Sequence, residues 1–346
     1  MHLCTFDQHG IIHVALVRGK DLVTLGDKLG LAAHQPMIDL ITRWSELKPQ
    51  VEMLVDAPPD ASLDEVHLQA PVPRPGKALA IGLNYLDHVQ ESIVGETRTV
   101  PDHQVWFPKL PNAIHGPFDD IVLPRISQMT DYEGEMVAVI GQRCRHVPAE
   151  RAHEVVFGYA VGNDVSVRDI QKRTSQWTLG KGFDTHAPLG PWITTADEVE
   201  DPHALELRCW VNGELRQHSN TKLMIHNVWA QIAQLTQVMT LEPGDVIFTG
   251  TCAGVGAAFS PGLTCLLARL AADRLESVDE IHVAAHGTGG PACARQHHDA
   301  LGSTAVGWHD GEWIERPGGS GRELCWFPEP VGPADCYRAA LAEQLA

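Results

Sequence analysis

Short apolar runs broken by clusters of Gly, Pro, Asn and Asp fill the first 260 residues, a rhythm that predicts many strands and few helices. Ile11-Ile12-His13-Val14-Ala15-Leu16-Val17 predicts a strand, closed by the turn-like Arg18-Gly19-Lys20-Asp21. Met37, Leu40, Ile41 and Trp44 recur at helical spacing, so residues 36–47 predict one helix. Pro71-Val72-Pro73-Arg74-Pro75-Gly76-Lys77 is a stiff connector that excludes helix. It sets off residues 1–70 as a small, β-rich N-terminal domain. Beyond it, Met136-Val137-Ala138-Val139-Ile140-Gly141 reads as a strand, and Val155–Val161 is a second unbroken apolar run. Leu205–Trp210 followed by Asn212-Gly213 predicts a hairpin. No internal repeat is visible.

Composition narrows the class. A chain of 346 residues buries a full core and has room for two domains. Its 44% hydrophobic content, with both charge signs present, is that of a soluble globular protein. No apolar run is long enough to cross a bilayer, and Met1-His2-Leu3-Cys4-Thr5-Phe6 lacks the regions of a signal peptide. The formal net charge of -18 argues against a nucleic-acid partner. Eight scattered cysteines without a Cys-x-x-Cys pair read as reduced thiols, which places the chain in the cytoplasm.

The chemistry gathers around the two apolar runs. Asp131-Tyr132-Glu133-Gly134-Glu135 precedes the first, and Asn163-Asp164 ends the second. Glu133 and Glu135 are two apart, so an extended chain presents both on one face. Three carboxylates at two strand ends make an oxygen-only donor set, which suits Mg2+, Mn2+ or Ca2+ better than zinc. Taken alone, the same acids read sooner as solvated strand ends. Their setting changes that reading. Upstream stands Gly82-Leu83-Asn84-Tyr85-Leu86-Asp87-His88-Val89-Gln90-Glu91. After Asp164 come Arg168 and Gln171, three apart and on one helical face, then Trp177-Thr178-Leu179-Gly180-Lys181-Gly182 and Pro188-Leu189-Gly190-Pro191. Pro243-Gly244-Asp245-Val246-Ile247-Phe248-Thr249-Gly250-Thr251 follows. In this order the blocks resemble the fumarylacetoacetate hydrolase family over about residues 75–260.

The resemblance implies an α+β, mainly β fold: a mixed β-sandwich roll with the small N-terminal domain before it. It implies a metal-dependent hydrolase that cleaves a C–C bond in a β-diketo acid, such as an acylpyruvate or a fumarylacetoacetate-like substrate. Glu133, Glu135 and Asp164 would hold Mg2+ or Mn2+ and leave positions for substrate and water. His88 and Glu91, three apart on a helical turn, would take a proton from water; without the resemblance they read as a surface ion pair. Lys181, flanked by glycines, would hold the developing oxyanion. Arg168, Gln171, Thr249, Gly250 and Thr251 would bind the substrate. Lys109 reads as a further anion contact or as an exposed lysine. The implied partners are a small 2-oxo acid and a second copy of the chain, with no membrane and no nucleic acid. A decarboxylase, lyase or isomerase of 2-oxo acids on the same scaffold, or an inactive fusion, are the alternatives.

After residue 260 the pattern changes. His286-Gly287-Thr288-Gly289-Gly290-Pro291 and Ser320-Gly321-Arg322-Glu323-Leu324-Cys325-Trp326-Phe327-Pro328 are similar to part of a saccharopine-dehydrogenase-like protein. The expected division is therefore 1–70, a catalytic domain over 71–260, and an atypical segment over 261–346. His282, His286, His297 and His298 lack a third ligand at metal-site spacing, and the glycines there lack the setting of a dinucleotide loop.

Overall fold

A computed structural model describes residues 1–86 and 100–252, together with the backbone of the strand segments Val255–Gly256, Thr304–His309, Glu312–Pro317, Glu323–Trp326 and Pro333–Cys336. The described chain is mainly β. Its first strands are β1 (His2–Gln8), β2 (Ile11–Arg18), β3 (Asp21–Thr24), β4 (Ala61–Ser62) and β5 (His67–Gln69). Next come β6 (Ala78–Gly82), β7 (Val105–Pro108), β8 (Ile114–His115), β9 (Thr130–Tyr132), β10 (Gly134–Ile140) and β11 (Val156–Asn163). The rest that concern the site are β12 (Ser166–Val167), β13 (Ala187–Thr195), β14 (Glu206–Val211), β15 (Glu214–Asn220) and β16 (Val246–Phe248). One mixed sheet of twelve strands runs β4-β3-β2-β1-β13-β11-β10-β16-β6-β7, with β5 beside β1 and β8 beside β13.

Residues 1–70 thus add five strands to the sheet that carries β10 and β11. The join is β1 on β13, with His2 opposite Thr194 and Leu3 opposite Ile193. The compact unit that contains them spans Met1–Gln90 and Thr97–Ala253. A second unit takes in Gly254–Ala346, where Thr304–His309 pairs antiparallel with Glu312–Pro317, and Glu323–Trp326 with Pro333–Cys336.

The unbroken apolar run of β10 follows from burial on both faces. Val137 and Val139 enter one core cluster, whereas Met136, Ala138 and Ile140 enter another. A strand covered on both sides needs apolar residues at every position, so the period-two signal of a half-exposed strand disappears. The second cluster is closed by an eleven-residue helix, Val228–Val238. Val228, Ile232 and Leu235 recur at helical spacing and all point into it. Asn227 starts this helix, its side chain accepting from the Ala230 amide at 2.9 Å, a cap worth about 1 kcal/mol.

The expected single helix over 36–47 is two helices, Pro36–Thr42 and Trp44–Met53. The chain leaves helical geometry at Arg43, with φ -98° and ψ 14°. Arg43 there gathers Asp39, Glu46 and the Gly30 carbonyl with its guanidinium. The predicted hairpin is present as β14–β15, with Asn212 and Gly213 both at positive φ, the geometry of a type I′ turn.

Asp60 ties the N-terminal strands together, accepting from the Thr24 amide, from Thr24 Oγ1 at 2.8 Å and from Lys28 Nζ at 2.5 Å. Partial burial acts to raise its carboxyl, but Lys28 and Thr24 outweigh it and hold the group below its ordinary 3.8. A depressed carboxylate contributes stability that is present above the ordinary value and lost as pH falls through the native one. Because the pair is partly solvated, Asp60→Asn is expected to lower the thermal midpoint at pH 7 by only about 1–3 °C. That difference should shrink as the pH drops below 4; an unchanged gap in a pH series of thermal melts would contradict this account.

Candidate metal centre

Strand direction assembles the site. β10 runs antiparallel to β11 and to β16, so its start lies beside the ends of both. Gly134 stands opposite Asn163, and Val137 opposite Phe248. β6 is parallel to β16, with Ala80 opposite Phe248, so its end also reaches this edge. The residues that follow these strand ends meet there: Glu133 and Glu135 at the start of β10, Asp164 after β11, Thr249 to Thr251 after β16, and Asn84 after β6.

Glu133, Glu135 and Asp164 are each no more than 3% exposed. One oxygen from each lies within 4.8 Å of the others. The solvated-acid reading is therefore excluded. Asn163 and Asp164 fix the approach of the chain: Asn163 Oδ1 accepts from the Glu133 amide, and the Asp164 amide donates to the Glu133 carbonyl, both at 2.9 Å. Glu135 Oε2 accepts from the Gly250 amide at 2.8 Å.

Buried cations surround the acids. Lys181 Nζ bridges Glu133 Oε2 and Asp164 Oδ2, at 2.6 Å to each. Lys109 Nζ lies 2.7 Å from Asp164 Oδ1. Arg168 Nη2 reaches Asp131 Oδ2 and Glu133 Oε1, each at 2.6 Å. Burial, joined by the charges of Asp164 and Glu133, pushes the Glu135 carboxyl well above the usual carboxylate range, against Lys181 and the Gly250 amide. Burial also raises Asp131, with Arg168 opposing it. For Lys181 burial acts downward, but Asp164 and Glu133 outweigh it and hold the ammonium above its ordinary value. For Lys109 burial wins over Asp164, and Lys181 adds to the lowering.

This arrangement fits a divalent cation. With every group ionised, four carboxylates (Asp131, Glu133, Glu135, Asp164) face three cations (Lys109, Lys181, Arg168), which leaves one negative charge uncompensated. A cation of charge two would reverse that sign to a single positive charge, the complement of one carboxylate. The donors are all oxygens, as hard cations require.

The substrate-binding expectations meet a more crowded picture. Each of the three guanidinium nitrogens of Arg168 has a protein acceptor: Nε and Nη2 on Asp131, Nη2 also on Glu133, and Nη1 on Gln171 Oε1 at 3.1 Å. Gly250 gives its amide to Glu135, and Thr249 Oγ1 donates to the Met136 carbonyl at 2.7 Å. Thr251 Oγ1 donates to the Gly134 carbonyl at 3.2 Å. The close approach that Gly180 allows beside Lys181 is to protein backbone, since a Cβ there would stand 2.5 Å from Gln171 N. His88 and Glu91 lie outside the described residues, as do the tail histidines.

Several residues carry weight that the sequence left open or gave no role. Lys109 is fully buried against Asp164, which removes its exposed reading. Asp131, next to the motif, anchors Arg168. Asn84 is fully buried; its Nδ2 donates to the carbonyls of Thr249 and His226, and its Oδ1 accepts from the His226 amide. Gly250, at φ +98°, sits against it, where a Cβ would come within 2.7 Å of Asn84 Cβ. The Asn84-Tyr85 pair was visible as a motif, but only the fold shows what it pins.

Among the described residues no helix is long and apolar enough to cross a membrane. Oxaloacetate tautomerase FAHD2A, mitochondrial, from Homo sapiens is 46% identical over 199 residues, which are 57% of this chain and 62% of that protein. The rat protein named oxaloacetate tautomerase Fahd2a, mitochondrial, is 46% identical over 193 residues, 56% of this chain and 60% of its own length. The match thus spans about three fifths of these relatives. Among solved structures, maleylpyruvate hydrolase from Sphingobium sp. SYK-6, in complex with manganese(II) and pyruvate, superposes with a TM-score of 0.64 at 35% identity, covering 73% of this chain and 89% of that one. A 2-hydroxyhepta-2,4-diene-1,7-dioate isomerase from Mycobacterium marinum gives 0.57 at 36% identity, with 73% and 88% covered. Residues 77–295 match the family described as fumarylacetoacetate (FAA) hydrolase C-terminal, running past residue 260 where the sequence pattern changes, and the chain belongs to that family.

Proposed function

We propose that the chain is a divalent-metal-dependent enzyme that binds a small 2-oxo acid and stabilises its enolate. The observation that carries this reading is the buried Glu133–Glu135–Asp164 cluster with Lys181 bridging two of its members. The manganese and pyruvate held by the Sphingobium enzyme support the same pairing of cation and 2-oxo acid here. Glu133, Glu135 and Asp164 would hold Mg2+ or Mn2+, which would supply Lewis-acid stabilisation of a developing oxyanion. Lys181 places an ammonium at that oxyanion. Gln171 and the Thr249–Thr251 turn line the approach for the substrate carboxylate. Arg168 acts chiefly through Glu133, whose orientation it sets.

In the finer reading the reaction is hydrolytic cleavage of a β-diketo acid such as an acylpyruvate. Water, deprotonated by the His88–Glu91 pair, adds to the distal carbonyl carbon. The C–C bond then breaks, the acyl part leaves as a carboxylic acid, and its electron pair passes to the enolate of pyruvate, which takes a proton at carbon. All these residues lie in the region 71–260, and the working enzyme is a cytoplasmic homodimer. A second reading, keto–enol tautomerisation of a 2-oxo diacid, is favoured by the names of the mammalian relatives. It needs the same enolate and no attacking water.

Two assays on one metal-loaded preparation separate the readings. Loss of acylpyruvate enol absorbance with stoichiometric pyruvate means hydrolysis. Accelerated enol–keto exchange of oxaloacetate without pyruvate means tautomerisation. Failure of both, with Mn2+ demonstrably bound, would overturn the enolate reading. His88→Ala is expected to bind Mn2+ as the parent does, and to lose hydrolysis by about 10²–10⁴-fold; full hydrolytic activity would remove the dyad from the mechanism.

A further inference from the structure

The β14–β15 hairpin contributes no carboxylate to the cluster, and among the described residues its two strands pair only with each other. It nevertheless holds the backbone between two of the proposed ligands. Gln217, on β15, is 2% exposed. Its Oε1 accepts from the Gly134 amide at 2.9 Å, and its Nε2 donates to Thr251 Oγ1 at 3.1 Å. Thr251 Oγ1 donates in turn to the Gly134 carbonyl at 3.2 Å. These bonds close a ring on the residue that separates Glu133 from Glu135. The Gly134 N–H belongs to the peptide plane shared with Glu133, and its C=O to the plane shared with Glu135. Neither plane can turn without breaking the ring, so the angle between the two carboxylate-bearing residues is set from the hairpin.

A bulge aims Gln217. Cys209 stands opposite Gln217 and Trp210 opposite Leu215, which leaves Arg216 as an extra residue. In a regular strand Leu215 and Gln217, two apart, would share a face. The bulge breaks that alternation, sending Leu215 outward at 46% exposure and Gln217 inward. The hairpin packs so closely that a Cβ at position 134 would stand 3.1 Å from Gln217 Oε1 and 3.5 Å from Cys209 Cβ. Burying an amide is costly unless its oxygen and nitrogen are both matched. Here both are matched: the oxygen meets the Gly134 amide directly, and the nitrogen meets Thr251 Oγ1, which in turn donates to the Gly134 carbonyl.

We propose that Gln217 is a positioning residue for the metal centre. It acts through Gly134, without touching the cation or the substrate, to hold Glu133 and Glu135 in convergent register. The proposal rests on the metal reading of Glu133, Glu135 and Asp164 given above.

The test is calorimetric titration of Mn2+ into metal-free, full-length protein, alongside thermal melts of the same metal-free samples. Gln217→Leu keeps the volume and removes both bonds; its Kd for Mn2+ is expected to rise about 10–100-fold, the usual effect of losing a partner that orients a ligand. Gln217→Glu keeps an acceptor for the Gly134 amide and should show a smaller rise. A Gln217→Leu Kd within twofold of the parent overturns the proposal. So does a lowered metal-free midpoint with unchanged Kd, which would make Gln217 a folding residue only. If Gln217→Leu does not fold, Gln217→Glu decides by the same comparison. A parent protein that takes up no Mn2+ overturns the metal reading itself, and this inference with it.

Discussion

Glu135→Ala is expected to take up no Mn2+ at concentrations that saturate the parent, and to turn over its substrate about 10³-fold more slowly or worse, several kcal/mol of barrier. The reason lies in the charge balance of the cluster. Glu135 is buried beside Asp164 and Glu133, and burial followed by those two charges pushes its carboxyl well above the usual range. A group raised in this way contributes stability that is present below its ordinary value and lost as pH climbs through the native one. The metal-free parent should therefore become less stable from about pH 5 upward by this contribution, and Glu135→Gln should flatten that part of the profile. A bound cation reverses the preference, because the ligand must be ionised, so apparent metal affinity should fall as the pH is lowered. Calorimetric titration with Mn2+ and metal-free melts at several pH values check both statements. Parent-like Mn2+ binding by Glu135→Ala would remove Glu135 from the ligand set.

Lys181→Met should destabilise the metal-free protein by about 3–5 kcal/mol, the usual consequence of removing one partner from a buried ion pair. Its ammonium reaches Glu133 and Asp164 at 2.6 Å and lies 4.8 Å from the centroid of the Phe107 ring. Methionine fills the same volume but leaves two buried carboxylates short of a counter-charge. Saturating Mn2+ should restore much of the lost stability by mass action. Activity should not return with it, since loss of an oxyanion donor costs about 10²–10³-fold in kcat. Melts with and without Mn2+, paired with the acylpyruvate assay, separate the two effects. A metal-free Lys181→Met as stable as the parent would mean that the acids are not held by this lysine. A fully active one would end its proposed role at the oxyanion.

Much of the site was legible because five motif blocks stand in one order along the chain. The spacing of Glu133 and Glu135, the acid after the second apolar run, and the glycine-flanked Lys181 are short-range patterns that acquire meaning only through that order. Each survives in the structure as a buried member of one cluster. Strands, turns and the Asn212-Gly213 hairpin were legible without it, since turn chemistry and apolar runs act over a few residues. The single helix read over 36–47 failed because helical spacing continues across Arg43 while the backbone does not.

What the sequence determined by itself was therefore a mainly β rhythm and the placing of three acids around two apolar runs; the order of the motif blocks, through the resemblance, turned those acids toward a hard cation and Lys181 toward its substrate. Tertiary structure alone decided which partners each group keeps. Lys109 reads equally as an anion contact or an exposed lysine until β7 delivers it to Asp164, 55 positions later in the chain. Nothing in the sequence around Arg168 tells that its Nε and Nη2 will meet Asp131 and Glu133. Gln217 carries no signal at all, because its role depends on a bulge and on a hairpin docking against Gly134. The first 70 residues read as a separate body, yet β1 hydrogen-bonds to β13 within the same sheet. Strand pairing and buried charge compensation join residues far apart in the chain, and a local pattern holds no record of which distant partner will meet it.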